Sequence, residues 1–400
     1  MSASNEFQPI EWSLDLVPQQ NFLSSDFIHI SLLRANVDVY QSVRNKKLYV
    51  RKLVHRRAGV VDQREQDEDG FKGDIPPELR VSTCPQALAR LPDEDYFPRL
   101  VGWQRLSETH WGIFTEFYNG GNLNHFIQKH FDYFDEETGP GERRSIPEHF
   151  ILHVAEQIGE ALVYMHLGRP RGTSGPRACT PLPGWLPIYH RDICDSNVFI
   201  HYPLTRGSDL EMHRTRAFPQ IVLGDFGESA IHEDDPLTVQ DGIPPASSIS
   251  PELRQWTDVH QFGCLLRLLC MAHVDLDEYS DDDEEEGYGI QDNEESWERD
   301  RPDSQMLKYC NDYGRQGIYS EGLIQLLQMF ERPDMDTSIL EQTDCVPTME
   351  WVASIFLPIV RNQVQLLRQP AVPTVAYFRE LDVSWTKPAD LIAAHTRPRN

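Results

Sequence analysis

The chain has 400 residues, 40% of them hydrophobic and 10% aromatic, and carries a formal charge of −26 at pH 7. That composition excludes wholesale disorder and supplies enough apolar material for a sizeable core. The charge argues against general nucleic-acid binding, because a polyanion is repelled unless a local basic patch dominates.

Residues 1–24 show little periodicity and read as an N-terminal tail, with Trp12 and Phe22 available to lie against the fold. Leu48–Val54 alternates like a half-buried strand, and Trp111–Phe117 does the same. Between them, Gln63–Gly73 is a charged loop, and Pro77–Leu91 reads as a helix with proline near its start. From about residue 119 the pattern turns helical. Phe150, Val154, Ile158, Ala161, Leu162 and Met165 recur at helical spacing, predicting an amphipathic helix that ends before Gly168. The Pro/Gly-rich stretch Arg169–Pro187 cannot continue that helix and reads as an inserted loop.

Val198–Ile200 and Ile221–Leu223 suit a hairpin, although the connection Tyr202–Pro219 is much longer than a tight turn needs. Val259, Phe262, Leu265, Leu266, Leu268, Leu269 and Met271 are apolar on nearly every face, so that helix should be buried. Leu323–Phe330 and Trp351–Leu367 are helical again, and residues 366–400 read as a C-terminal tail. Asp275–Asp303 holds 15 acids and 2 bases, half of the net charge. It reads as a solvated, disordered insertion, or as a docking surface for a basic partner.

The seven cysteines show no CxxC pair and no ligand spacing, which argues against a disulfide framework and structural zinc. No stretch approaches the roughly 18 to 20 apolar residues of a membrane span, and no basic segment leads into an apolar run at the N-terminus. The expectation is an intracellular protein, cytoplasmic or nuclear, with no membrane or nucleic-acid partner.

Two motifs carry chemistry: His190-Arg191-Asp192-Ile193-Cys194-Asp195-Ser196-Asn197, and Asp225-Phe226-Gly227 after the second apolar run. A carboxylate, an Asn five residues on, and another carboxylate beyond a hairpin form the donor set that magnesium-assisted phosphoryl transfer requires. In this order they resemble the catalytic core of the eukaryotic protein kinase family. The resemblance covers about residues 25–365, and is strongest from His190 to Gly263 and weakest before Lys52.

The resemblance implies an α+β, bilobal fold: a small β-rich N-lobe over 25–118 and a larger helical C-lobe over 119–365, with insertions near 168–187, 202–219 and 275–303. It implies an ATP-dependent kinase that transfers the γ-phosphoryl group to Ser or Thr hydroxyls of a protein substrate, with ATP and Mg²⁺ as cofactors. The alternative is a pseudokinase scaffold that binds protein partners. By this likeness Asp192 is the catalytic base, while Asn197 and Asp225 hold the metal. Lys52 is the strand lysine that pairs with ATP phosphates, and Val50, on its face, covers the adenine with Val39. Its acidic partner is Glu78 or, on a shifted alignment, the position falls on Cys84. Thr115 is the gatekeeper, followed by the hinge Glu116, Phe117 and Tyr118.

His190 and Phe226 are expected to pack beneath the site, with Gly227 allowing the backbone bend. Asp195 reads as a loop residue. Arg191 is placed to pair with a phosphate on the hydroxyl-bearing segment from Glu228 to Ser250. Ser250-Pro251-Glu252 resembles the motif that closes that segment, and Asp258 should brace the catalytic loop.

Three departures stand out. Leu32, Arg34 and Val37 occupy positions where the family carries glycines, so side chains hinder backbone approach to phosphates. Arg34 is open to two readings, a phosphate contact or an exposed arginine. Cys194 stands where serine/threonine kinases carry a lysine, and it cannot supply positive charge. Near Val346-Pro347-Thr348 the family's arginine partner for Glu252 is missing, unless Arg332 substitutes.

Overall fold

The computed structural model describes residues 26–55, 76–83, 96–107, 110–130, 134–135, 139–140, 145–170, 173, 175–201, 219–231, 255–272, 318–330 and 347–368. The architecture is mixed α+β. Five strands, β1 (Phe27–Arg34), β2 (Val37–Ser42), β3 (Leu48–His55), β4 (Leu100–Arg105) and β5 (His110–Glu116), form an antiparallel sheet in the order β1-β2-β3-β5-β4. The β1–β2 connection has only Ala35 and Asn36 between paired residues. The β2–β3 turn takes Lys46 to φ 59°, and the Asn45 side chain accepts the Lys47 N–H at 2.9 Å to stabilise it.

Register fixes what each face carries. Val37, Lys52 and Ile113 lie in one cross-strand row, and Val39, Val50 and Thr115 in the next of the same face. On the reverse face Arg51 pairs with buried Asp38 and stands 5.1 Å over the Tyr40 ring. Helix α1 (Pro77–Thr83) lies on the Lys52 face, because Leu79 packs there with Leu100, Trp111 and Ile113. That seating brings Glu78, the neighbour of Leu79, within reach of β3.

Strands β3 and β5 fall within one residue of the expected segments. β1, β2 and β4 carried no separate signal, and β1 gives the reason. Its Ile28, Leu32 and Leu33 are about half exposed or more, so inside and outside do not alternate in its sequence. Leu32 and Arg34 therefore belong to β1, and Val37 to β2, where the family pattern suggested a glycine-type loop.

The second body of structure is helical. It holds α2 (Leu123–His130), a short ladder of β6 (Phe134–Asp135) with β7 (Gly139–Pro140), and α3 (Glu148–Leu167). β8 (Ile188–Tyr189) pairs with β11 (Ala230–Ile231), and β9 (Val198–His201) pairs with β10 (Gln220–Leu223) as expected. Helices α4 (Gln255–Met271), α5 (Glu321–Gln328) and α6 (Leu357–Arg368) follow, the last preceded by Met349–Trp351 and a π-helical stretch, Val352–Phe356.

Helix α3 is buried from Phe150 to Leu167, and ends at Gly168, whose φ of 67° lets its N–H bond Tyr164 O. Around α3, the rings of Phe262, Phe330 and Phe356 meet edge-to-face with centroids 5.0 to 5.7 Å apart. α4 is buried as its sequence requires. The inserted loop after α3 contains a 3₁₀ turn, Gly175–Arg177, and is tied back by Trp185 Nε1 donating to Met165 O at 2.9 Å.

Among the described residues no helix is long and apolar enough to cross a membrane. The tail 1–24, Cys84, the connection 202–218, Glu252, the acidic stretch 275–303, Arg332 and residues 369–400 lie outside the described residues.

Candidate active site

Three strands' ends and one helix meet between the sheet and the helical body. Lys52 Nζ donates to Glu78 Oε1 on α1 and to Asp225 Oδ1, the latter at 2.5 Å, after β10. Burial works to lower the Lys52 pKa, but the Glu78 and Asp225 carboxylates overcome that and hold it above the ordinary lysine value. Burial pushes Glu78 up, only partly offset by Lys52. For Asp225 burial acts upward too, yet the ammonium beside it holds the carboxyl below its usual range. Of the two residues that sequence left open as partners of Lys52, Glu78 makes the contact.

Asp192 and Asn197 lie next to this cluster. Asn197 Nδ2 donates to Asp192 Oδ2 at 2.7 Å and to Asp192 O at 2.9 Å, so its amide oxygen is the atom left for a ligand. Asn197 O accepts the Gly224 N–H at 2.8 Å, which ties the first motif to the residue preceding Asp225. Both motifs contain non-glycine residues in the left-handed region: Arg191 at φ 69° and Asp225 at φ 61°. Such backbone costs about 1–3 kcal/mol per residue and persists only where its surroundings hold it.

Those surroundings are visible. Asp258, fully buried at the start of α4, accepts the His190 N–H at 2.8 Å, the Arg191 N–H at 2.7 Å and His166 Nε2 at 2.9 Å. Burial opposes its charge, but His166 and these N–H groups hold the carboxyl below the usual value. Gln261, one turn further along α4, donates to Arg191 O at 2.9 Å and accepts the Ile193 N–H at 3.0 Å. His190 is buried with its ring 4.8 Å from that of Phe226.

Gly227 follows the bend and does not itself take a positive φ. The bend falls on Asp225, while a Cβ at Gly227 would stand 3.3 Å from Asp225 Oδ1 and 3.5 Å from Glu78 Oε1. The first of these contacts is slightly tight and the second ordinary, so Gly227 lies directly against the Lys52–Glu78–Asp225 cluster.

Val50 and Val39 share the Lys52 face, and Val39 is fully buried. At the end of β5, Phe117 donates its N–H to Leu48 O, and Glu116 pairs with Lys47 at 3.6 Å on the opposite sheet face. The Tyr118 ring turns away to stack on Phe199, with centroids 6.0 Å apart. Asp195 accepts from Asn124 of α2 at 3.0 Å, and burial lifts its pKa against the lowering effect of that hydrogen bond. Cys194 contacts Ser196 Oγ, and burial pushes its thiol up, so it is neutral at pH 7.

Sequence reasoning missed His166 and Gln261. Gln261 stands three residues after Asp258, a spacing that places both on one helix face, and this was the available signal. His166 gave none. No protein-family profile matches the chain, and no curated protein matches it.

Proposed function

We propose that the chain is a bilobal, protein-kinase-like enzyme that transfers the γ-phosphoryl group of ATP to Ser or Thr hydroxyls of a protein substrate. One observation carries the reading. Lys52 is held by Glu78 and Asp225, while Asn197 grips Asp192 and its carbonyl accepts the N–H of Gly224, the residue before Asp225. A cation to meet phosphates, a carboxylate for an acceptor hydroxyl and hard oxygen donors for a metal are then together.

The donors fit Mg²⁺, which binds through few protein oxygens plus phosphate. Asn197 and Asp225 would hold it, and it would neutralise charge on the triphosphate. Asp192 would orient the attacking hydroxyl and accept its proton. Lys52 would turn from Asp225 to the phosphates while Glu78 keeps it aimed across the site. Val50, partly exposed and backed by buried Val39, would give an apolar floor for a purine.

A second reading, a scaffold that binds nucleotide or protein with little transfer, is favoured by Cys194. A neutral thiol stabilises less transition-state charge than the lysine found in the family. Either version leaves the acidic stretch 275–303 as the proposed contact for a basic partner.

The test is transfer of labelled γ-phosphate from Mg²⁺-ATP to a generic acceptor protein. Wild type should label it, while Asp192→Asn and Asp225→Ala should lose at least about 100-fold, in the range of general-base contributions. Equal labelling by all three proteins would sink the enzyme. Thermal stabilisation by Mg²⁺-ATP without labelling would select the scaffold.

A further inference from the structure

Most basic side chains on β1, β2, β3 and their turns are committed. Arg44 pairs with Asp26 at 2.9 Å, Lys47 with Glu116, Arg51 with Asp38, and Lys52 with Glu78 and Asp225. The side chains of Arg34 and Lys46 have no hydrogen-bond or ion-pair partner among the described residues. Lys46 lies in the β2–β3 turn, at the opposite end of the sheet from the β1–β2 tip.

Arg34 closes β1 in an informative register. Its Cα pairs with Val37, and Val37 pairs with Lys52. The three form one row across three strands, and directly opposed residues project to the same face. A register shift between Leu32 and Arg34 skips Leu33 and brings the arginine into this row. Bulges commonly re-aim a side chain in this way. Two strand spacings separate Arg34 from Lys52, about 10 Å.

The tip itself cannot supply a backbone grip on phosphate. Its turn is two residues long, and Leu53 donates its N–H to Asn36 O at 2.7 Å, tying the tip to β3. Val37 places a side chain on the Lys52 face where bare backbone would be needed. On the other side of the site, the single ammonium of Lys52 is shared by two carboxylates, and Cys194 adds no charge.

We infer that Arg34 is a phosphate-binding residue, whose guanidinium takes over from the missing glycine loop in holding the terminal phosphates of a nucleotide on the Lys52 face. The inference rests on the nucleotide-binding reading above. A planar guanidinium donates two parallel N–H bonds to a phosphate and stays charged at every working pH.

Calorimetric titration with Mg²⁺-ATP and with adenosine tests it, on wild type, Arg34→Ala, Arg34→Lys and Lys46→Ala. Arg34→Ala should weaken ATP about 10- to 100-fold, the worth of one charge-assisted hydrogen-bond set, and leave adenosine within about 2-fold. Arg34→Lys should recover part of the loss, and Lys46→Ala should match wild type. Unchanged ATP affinity in Arg34→Ala, or equal weakening of adenosine, would overturn the role of Arg34 while nucleotide binding stands. Wild type that binds no Mg²⁺-ATP would remove both readings together.

Discussion

His190 has no contact with water, yet both ring nitrogens are used. Nε2 meets Gly224 O at 3.0 Å, and Nδ1 accepts the Asp192 N–H at 3.3 Å. Only the neutral ring satisfies both, since a second ring proton would face the Asp192 N–H. Burial accordingly holds the His190 pKa below its ordinary value, despite the nearby Asp258, Asp192 and Asp225. The sign of the linkage follows. Below about pH 6.5 the unfolded chain gains a proton that the folded chain refuses, so stability falls with pH until the folded pKa is reached. This group contributes at most about 1.4 kcal/mol per pH unit. Urea unfolding at pH 7.5, 6.5 and 5.5 should fall more steeply for wild type than for His190→Gln, and parallel curves would refute the assignment. At this scale the sequence was readable where chemistry and spacing are local: Asp192, Asn197 and Asp225 sit in two short motifs. His166 reaches Asp258 across 92 residues and Gln261 reaches Ile193 across 68, and no local period encodes such contacts.

Elements were legible where their apolar residues are buried, whether on one face or all round. α3 and α4 declared themselves through dense apolar spacing, and β3 through alternation with Lys52 on the same face as Val50. β1 did not, because its apolar residues are exposed and its register shifts twice. Close approach of helices is similarly hidden in single glycines. Gly263 of α4 lies against Phe330 so tightly that an added Cβ would collide with the Phe330 Cβ and ring. Gly263→Ala should therefore push α5 away and cost about 1–3 kcal/mol, as overpacking does. Chemical denaturation reads this directly. A variant as stable as wild type would mean that α5 shifts at no cost.

At the scale of the molecule, the described residues form two separate apolar clusters, one between α1 and the sheet and a larger one around α3. The site lies at their junction, where Lys52 reaches Asp225 and the Phe97 ring meets Phe226 at 6.0 Å. The family resemblance implied that Lys52 and Asp225 share a site, but packing contacts of this junction such as Phe97 with Phe226 carried no local signal, because they join segments far apart in the chain. A further long-range link concerns α6. Arg361 donates through Nε to Glu160 Oε1 at 2.8 Å, and the Tyr96 hydroxyl bonds the other oxygen of that carboxylate. Glu160 is buried, so Arg361→Met would strand its charge and should cost about 3–5 kcal/mol, most of it recovered by adding Glu160→Gln. Unequal unfolding of the single and double variants measures the coupling; equal losses would dismiss it. Tyr96 O in turn receives the Leu223 N–H at 2.8 Å, two residues before Asp225. A fragment ending at residue 348 would contain every group that touches the proposed reaction and still leave Glu160 without its guanidinium. Such a fragment should therefore unfold at lower denaturant than the full chain, even though it keeps the catalytic motifs.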